Sequence, residues 1–137
     1  MRQDLALLFG RLLLAAIFLD SGLQKFGSQD GVAAVLAGKG LPLPWIGALG
    51  AATLEVIAGL ALAAGVLVAP AALALAGFTL AAGALFHGFW EMEGAARIGE
   101  RIHFLKNLSI IGGLLVLAGA GPGRLSLGAR DRKKAAT

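Results

Sequence analysis

The stretch from Leu5 to Phe26 does most to narrow what this chain can become. It reads Leu5-Ala-Leu-Leu-Phe-Gly-Arg-Leu-Leu-Leu-Ala-Ala-Ile-Phe-Leu-Asp-Ser-Gly-Leu-Gln-Lys-Phe26. Its length suffices to cross a bilayer core, which takes about 20 residues. Yet it keeps Arg11, Asp20, Gln24 and Lys25. A charge near the bilayer centre costs about 2.5–3.5 kcal/mol on insertion scales, so it needs a partner or a wet cavity. At helical spacing Arg11, Phe18, Ser21, Gly22 and Lys25 share one face, and Asp20 and Gln24 a neighbouring one. This run is therefore predicted to form one wall of a polar pocket whose other walls come from the rest of the chain.

Three more apolar runs follow, and helices are predicted over Trp45–Val68, Ala69–Gly88 and Ile102–Ala120. Only 15% of the residues are charged and 58% are hydrophobic, against about 25% and 45–50% in soluble domains. The predicted fold is all-α: an integral membrane four-helix bundle over residues 1–123, followed by a basic tail over 124–137. A very apolar soluble helical core is the competing reading, disfavoured by the long uncharged runs. Between the first two runs, Gly38, Gly40, Pro42 and Pro44 are breakers. Asp30 is predicted to cap one or two helical turns over Val32–Ala37, lying in the interface or folding back. Residues 91–101, rich in Glu and Arg, are predicted to be a solvated loop.

The chain has no cysteine, which excludes disulfides, thiol catalysis, thiolate metal sites and iron–sulfur ligation. The net charge of +4 is concentrated in Arg130, Arg132, Lys133 and Lys134. With Arg2, these predict both termini on the cytoplasmic side of the membrane. Lys25, Lys39, Arg97, Arg101 and Lys106 count in the opposite direction. No aromatics interleave with the tail charges, so nucleic acid is not an expected partner. Phe18-Leu19-Asp20-Ser21 makes a poor cleavage site, so the N-terminal run is predicted to be retained rather than removed as a signal peptide.

The second run carries one charge, Glu55, on a small-residue seam with Gly47, Ala51 and Gly59 at spacing four. Counting depth from the helix ends brings Arg11 within reach of Glu55. A buried Arg11–Glu55 pair that fixes register and does no chemistry is one reading. A Glu55 that titrates and passes a proton to a bound molecule is the other. Lys25, His87, His103, Lys106 and Asn107 cluster by depth at the opposite, outer end. Snorkelling lysines and interfacial histidines would explain them equally well.

The chain resembles the DoxX family. The resemblance rests on Arg11 and Asp20-Ser-Gly-Leu-Gln-Lys25, on Gly40-Leu-Pro42, and on Leu54-Glu55-Val56 with Gly59. It continues through His87 with Phe89-Trp90, Lys106-Asn107-Leu108 with Gly112-Gly113, and the closing Gly123-Arg124-Leu-Ser126-Leu. Gly128 stands where an acid is often seen. The resemblance implies a four-helix protein of a bacterial or archaeal cytoplasmic membrane, linked to quinone-dependent oxidoreductases, often as a small membrane subunit.

With that implication, the outer cluster is expected to form a donor-rich mouth above a cavity walled by Phe18, Phe26, Phe86 and Trp90, suited to a quinone head. Glu55 and His87 are the candidate catalytic groups. Arg11, Ser21, Lys25, Trp90, His103, Lys106 and Asn107 are the candidate ligand contacts. Quinone is the expected cofactor. Haem between His87 and His103, or a metal held with Glu91, is not expected, since no further ligand pattern marks either. No nucleotide-binding Gly motif or Ser-His-Asp set is present. The electron donor would lie on a soluble or membrane oxidoreductase partner, with membrane lipid and a homo-oligomer as the other associations to consider. A structural membrane anchor and a small proton-coupled transporter or lipid-handling protein are the alternative functions.

Overall fold

A computed structural model describes residues 1–128. Five α-helices follow in order: α1 (Arg2–Gly27), α2 (Gln29–Gly38), α3 (Pro44–Ala64), α4 (Val68–Phe86) and α5 (Gly94–Ala120), with a 3₁₀ turn at Phe89–Glu91. Among the described residues there is no strand. Helices α1, α3, α4 and α5 are each long and apolar enough to cross a membrane. Leu13, Ile57, Leu73 and Val116 face outward on them, as expected where the surrounding solvent is hydrocarbon. The all-α four-helix membrane bundle is therefore the architecture, with α2 as the short extra element.

The bundle is built from two tightly packed pairs, α1 with α3 and α4 with α5, joined by α3 against α4. Its core is small and aliphatic but for Phe18: Ala15, Phe18, Ala58, Leu62, Ala72, Leu75, Leu114 and Leu117. Gly22 sets the closest α1–α3 approach. A Cβ there would sit 2.8 Å from Val56 Cγ2 and 3.1 Å from the Ala52 carbonyl oxygen. Any side chain would force the two backbones apart, which is why a glycine stands on this face.

Several expected boundaries move. Helix α3 ends at Ala64 rather than Val68 because Gly65, at φ 73°, adopts the left-handed conformation. Val66 N–H bonds the Ala61 carbonyl and Gly65 N–H the Leu62 carbonyl, the Schellman closure of a helix C-terminus. Pro70 then falls inside the first turn of α4, where its missing N–H would have had no intrahelical partner anyway. Helix α4 stops at Phe86. Asp30 lies in the first turn of α2, whose N-cap is Ser28 without a side-chain cap bond.

The largest correction concerns residues 91–101, which are not a loop: α5 begins at Gly94. Ala95, Ala96, Arg97, Glu100 and Arg101 are good helix formers. Their polarity signals only that this part of the helix is solvated. With 27 residues, α5 is about 40 Å long, roughly 10 Å more than a bilayer core is thick. Its first two turns therefore project beyond the hydrocarbon.

The two ends of the described chain meet. Arg124 N–H donates to Asp4 Oδ1 at 3.0 Å, and Ser126 is buried beside the α3–α4 turn. The first residues of the expected tail are thus folded onto the bundle. Arg130, Arg132, Lys133 and Lys134 lie outside the described residues.

Candidate functional site

A cavity of about 700 Å³ opens between the two helix pairs under α2. Its walls are largely apolar: Ile17 and Phe18 from α1, Val32, Val35 and Leu36 from α2, and Phe78, Leu85 and Phe86 from α4. Polar groups enter from Ser21, Lys25, Glu55, Thr79, His87 and Asn107. The Thr79 hydroxyl is already committed to the Leu75 carbonyl.

Three of these polar side chains form a closed set. Glu55 is 3% exposed, and its Oε2 lies 2.7 Å from Lys25 Nζ. The Lys25 ammonium donates to Ser21 Oγ, and Ser21 Oγ donates to Glu55 Oε1 at 3.1 Å. The ordering has a local cause. Ser21 and Lys25 are one turn apart on α1, so both face the α3 surface that carries Glu55. The Lys25–Glu55 contact is a close ion pair, with Oε2 buried against the ammonium.

The expected Arg11–Glu55 pair does not form. Gly22 packs on Ala52 and Val56, and Gly59 approaches Ala15, so Glu55 is level with Ser21. Arg11, ten positions earlier on α1, is then about 15 Å away along the axis. It lies instead at the C-terminus of α3, 1% exposed. Its Nη1 donates to the Leu62 carbonyl at 3.4 Å and its Nη2 to the Leu125 carbonyl. A guanidinium there suits the negative end of the α3 dipole and joins the chain's closing segment to the bundle. Arg11 is thus a structural clasp that does not line the cavity.

At the other end His87 Nδ1 lies 2.7 Å from Glu100 Oε2, and the His103 ring stacks on His87 at 5.1 Å. Of the expected contacts, Ser21, Lys25, Glu55, His87 and Asn107 line the cavity. Trp90, His103 and Lys106 do not. Lys106 is one residue from Asn107, about 100° around the helix, so only one of the two can face inward. It is exposed. Trp90 packs edge-on against Phe89 and Phe104. Phe26 likewise stays off the wall, and side chains of α2 take its place.

Sequence reading missed Glu100 as the partner of His87. Glu100-x-x-His103 is a one-turn pair, visible only once these residues are taken as helix. It also missed the α2 wall, since Val32, Val35 and Leu36 carry no polar signal.

The comparisons with known proteins agree with this architecture. The DoxX family model matches residues 6–88, which covers α1 to α4 with Ser21, Lys25, Glu55 and His87. The chain belongs to the DoxX family. Among DoxX relatives, inner membrane protein YphA of Escherichia coli strain K12 is 36% identical over 128 residues, covering 93% of this chain and 91% of the relative. Inner membrane protein YqjF of the same strain is 35% identical over 135 residues, covering 96% of each. No solved structure matches the chain. The family resemblance, the four spanning-length helices and the inner-membrane relatives all point to one setting, and the cavity is what this member places inside it.

Proposed function

We propose that this DoxX protein binds a quinone or a related isoprenoid lipid in the cavity between its helix pairs and serves an oxidoreductase as a membrane subunit. The observation that carries the reading is the division of the cavity: about 700 Å³ of mainly apolar wall, with Lys25, Ser21 and a buried Glu55 together on one side. Apolar volume of this size accepts a substituted ring and the start of an isoprenoid tail, while a few convergent polar groups orient the ring oxygens. Lys25, which holds Ser21 and Glu55, has a third N–H that can donate to a ring oxygen.

A bound quinone supplies two-electron, two-proton chemistry, with the electrons drawn from the partner oxidoreductase. The chain's own residues do the rest. Lys25 and Ser21 hold the Glu55 carboxylate in place. Phe18, Phe78 and Phe86 exclude water around the ring. His87 can hold or release a proton at the cavity wall. In the orientation set by the positive-inside rule, both termini are cytoplasmic and this wall lies toward the outer face.

The test is the lipid content of the protein purified in mild detergent. Organic extraction and mass spectrometry are expected to recover an isoprenoid quinone near one per chain from wild type, and much less from Ser21→Val with Glu55→Leu. Equal recovery from both proteins would contradict the reading. A wild-type protein free of such lipid and unable to bind added quinone would leave the buried pair as a structural anchor.

A further inference from the structure

The cavity between the helix pairs has its polarity reversed from that of a cleft in water. Ile17, Val35, Pro42, Gly47, Ala81 and Leu85 line it and are also exposed, so they mark the rim where it meets its surroundings. All of them are non-polar. None of the polar lining side chains is exposed: Ser21, Lys25, His87 and Asn107 are half-buried, and Glu55 and Thr79 are buried. A site that opens to water keeps polar groups at its rim, where they stay hydrated, and apolar area at its centre. An apolar rim around a polar interior is what hydrocarbon surroundings require, because a polar side chain facing lipid has no partner there.

The rim also has a defined depth. Gly47 lies three positions inside the start of α3, Ala81 five before the end of α4, and Ile17 ten before the end of α1. These are about 5, 8 and 15 Å from the helix ends on the α2 side. A bilayer core is about 30 Å thick, so the opening stays within the leaflet on that side. On α1, Ser21 lies one turn above Ile17 on the same face, and Lys25 one turn above Ser21. A head held at Ser21 and Lys25 therefore leaves its tail at the level of Ile17, the deepest rim residue and 48% exposed.

We propose that the cavity opens sideways into the leaflet on the α2 side, that it takes a single-tailed lipid from that leaflet rather than a bare head group from water, and that Ile17 is a specificity-determining residue over which the tail leaves. The identity of the head rests on the quinone-binding reading of the same cavity. The sideways opening does not.

The absence of cysteine makes single-cysteine variants the natural probes. Nitroxide labels are placed at Ile17→Cys, at Leu13→Cys on the outward face of α1, and at Arg101→Cys, exposed on the projecting start of α5. In phosphatidylcholine nanodiscs the Ile17 label is expected to be relaxed by oxygen, which concentrates in hydrocarbon, and shielded from a water-soluble nickel chelate, as the Leu13 label is. Nickel relaxation of the Ile17 label equal to that at Arg101 overturns the sideways opening, whatever the ligand. The second measurement is binding, in the same nanodiscs, of a dimethoxy-methylbenzoquinone with and without a decyl tail, compared per mole of lipid. The tailed probe is expected to immobilise the Ile17 label and the untailed one to leave it unchanged. Ile17→Trp is expected to weaken the tailed probe at least about tenfold while the untailed probe stays within about threefold of wild type, because the indole covers apolar area that only the tail uses. An equal effect of Ile17→Trp on both probes, or none on either, overturns the tail path while leaving the binding site standing. Failure of both probes to bind wild type contradicts the quinone-binding reading, and the nickel and oxygen result then decides the opening by itself.

Discussion

At the residue scale, two cations of α1, a buried Arg11 and a half-buried Lys25, do different work. Arg11 and Lys25 share a face of α1, and both were visible in the sequence as charges that a spanning helix must justify. Burial of Glu55 was visible too, as the only charge of its run. Their pairing was not. It depends on the offset between α1 and α3, which Gly22 and Gly59 set through contacts that no spacing rule records. The Lys25–Glu55 pair leads to a first expectation. Breaking a fully buried pair costs about 3–5 kcal/mol. Lys25 keeps 25% of its side chain exposed and can turn toward headgroups, so Glu55→Ala should cost less than that, about 1–2 kcal/mol. Thermal unfolding in a fixed detergent measures it. Gly65 leads to a second. It has φ 73°, and a Cβ would collide with Arg11 Nη1 and Ser126 Cβ. Gly65→Ala combines backbone strain with displacement of a buried guanidinium and should destabilise by more than about 2 kcal/mol. Gly77→Ala, on α4 with nothing within 4 Å, should be neutral or slightly stabilising.

At the scale of elements, the four spanning helices could be read from hydrophobic runs, and so could the ends at Gly27, Pro44 and Ala120, to within a residue; the α3–α4 break and the start of α5 could not. The α3–α4 break lies in an unbroken apolar stretch, where only Gly65 and the Schellman bonds mark it. The start of α5 was hidden for the opposite reason, since its first turns are charged. The same misreading concealed the Glu100 contact with His87. A helix of good formers that projects from the bilayer makes a third expectation. Amide hydrogen exchange over Gly94–Arg101 should be slowed relative to an unstructured peptide, with protection rising from Arg97 toward Phe104. Exchange across Ala95–Arg101 at the intrinsic rate of a loop would contradict a helical start at Gly94. Helix α2 is read as a cavity wall through Val32, Val35 and Leu36. Val35→Arg should weaken binding of a ring ligand at least tenfold with little loss of helix content, because it places a charge where apolar area is needed.

At the scale of the whole molecule, the apolar composition made the membrane class plain, and the contact of Arg124 with Asp4 brings the two ends of the described chain together. Reporter fusions after Gly128 and at Gly94 should report opposite compartments, with the fusion after Gly128 cytoplasmic. The central claim is that the cavity faced by Lys25, Ser21 and Glu55 is a ligand site. The most direct measurement is the affinity of a short-chain hydroquinone for the purified protein and for two single variants. Glu55→Gln removes the charge that organises the polar wall, and Lys106→Met removes a charge that is exposed and outside the cavity. Loss of a charged hydrogen-bond partner weakens binding by about 1.5–3 kcal/mol, or roughly ten- to a hundredfold. The expected result is such a loss for Glu55→Gln, with Lys106→Met binding as wild type does. Unchanged affinity in Glu55→Gln, together with weakened binding in Lys106→Met, would move the site out of the cavity and contradict the claim.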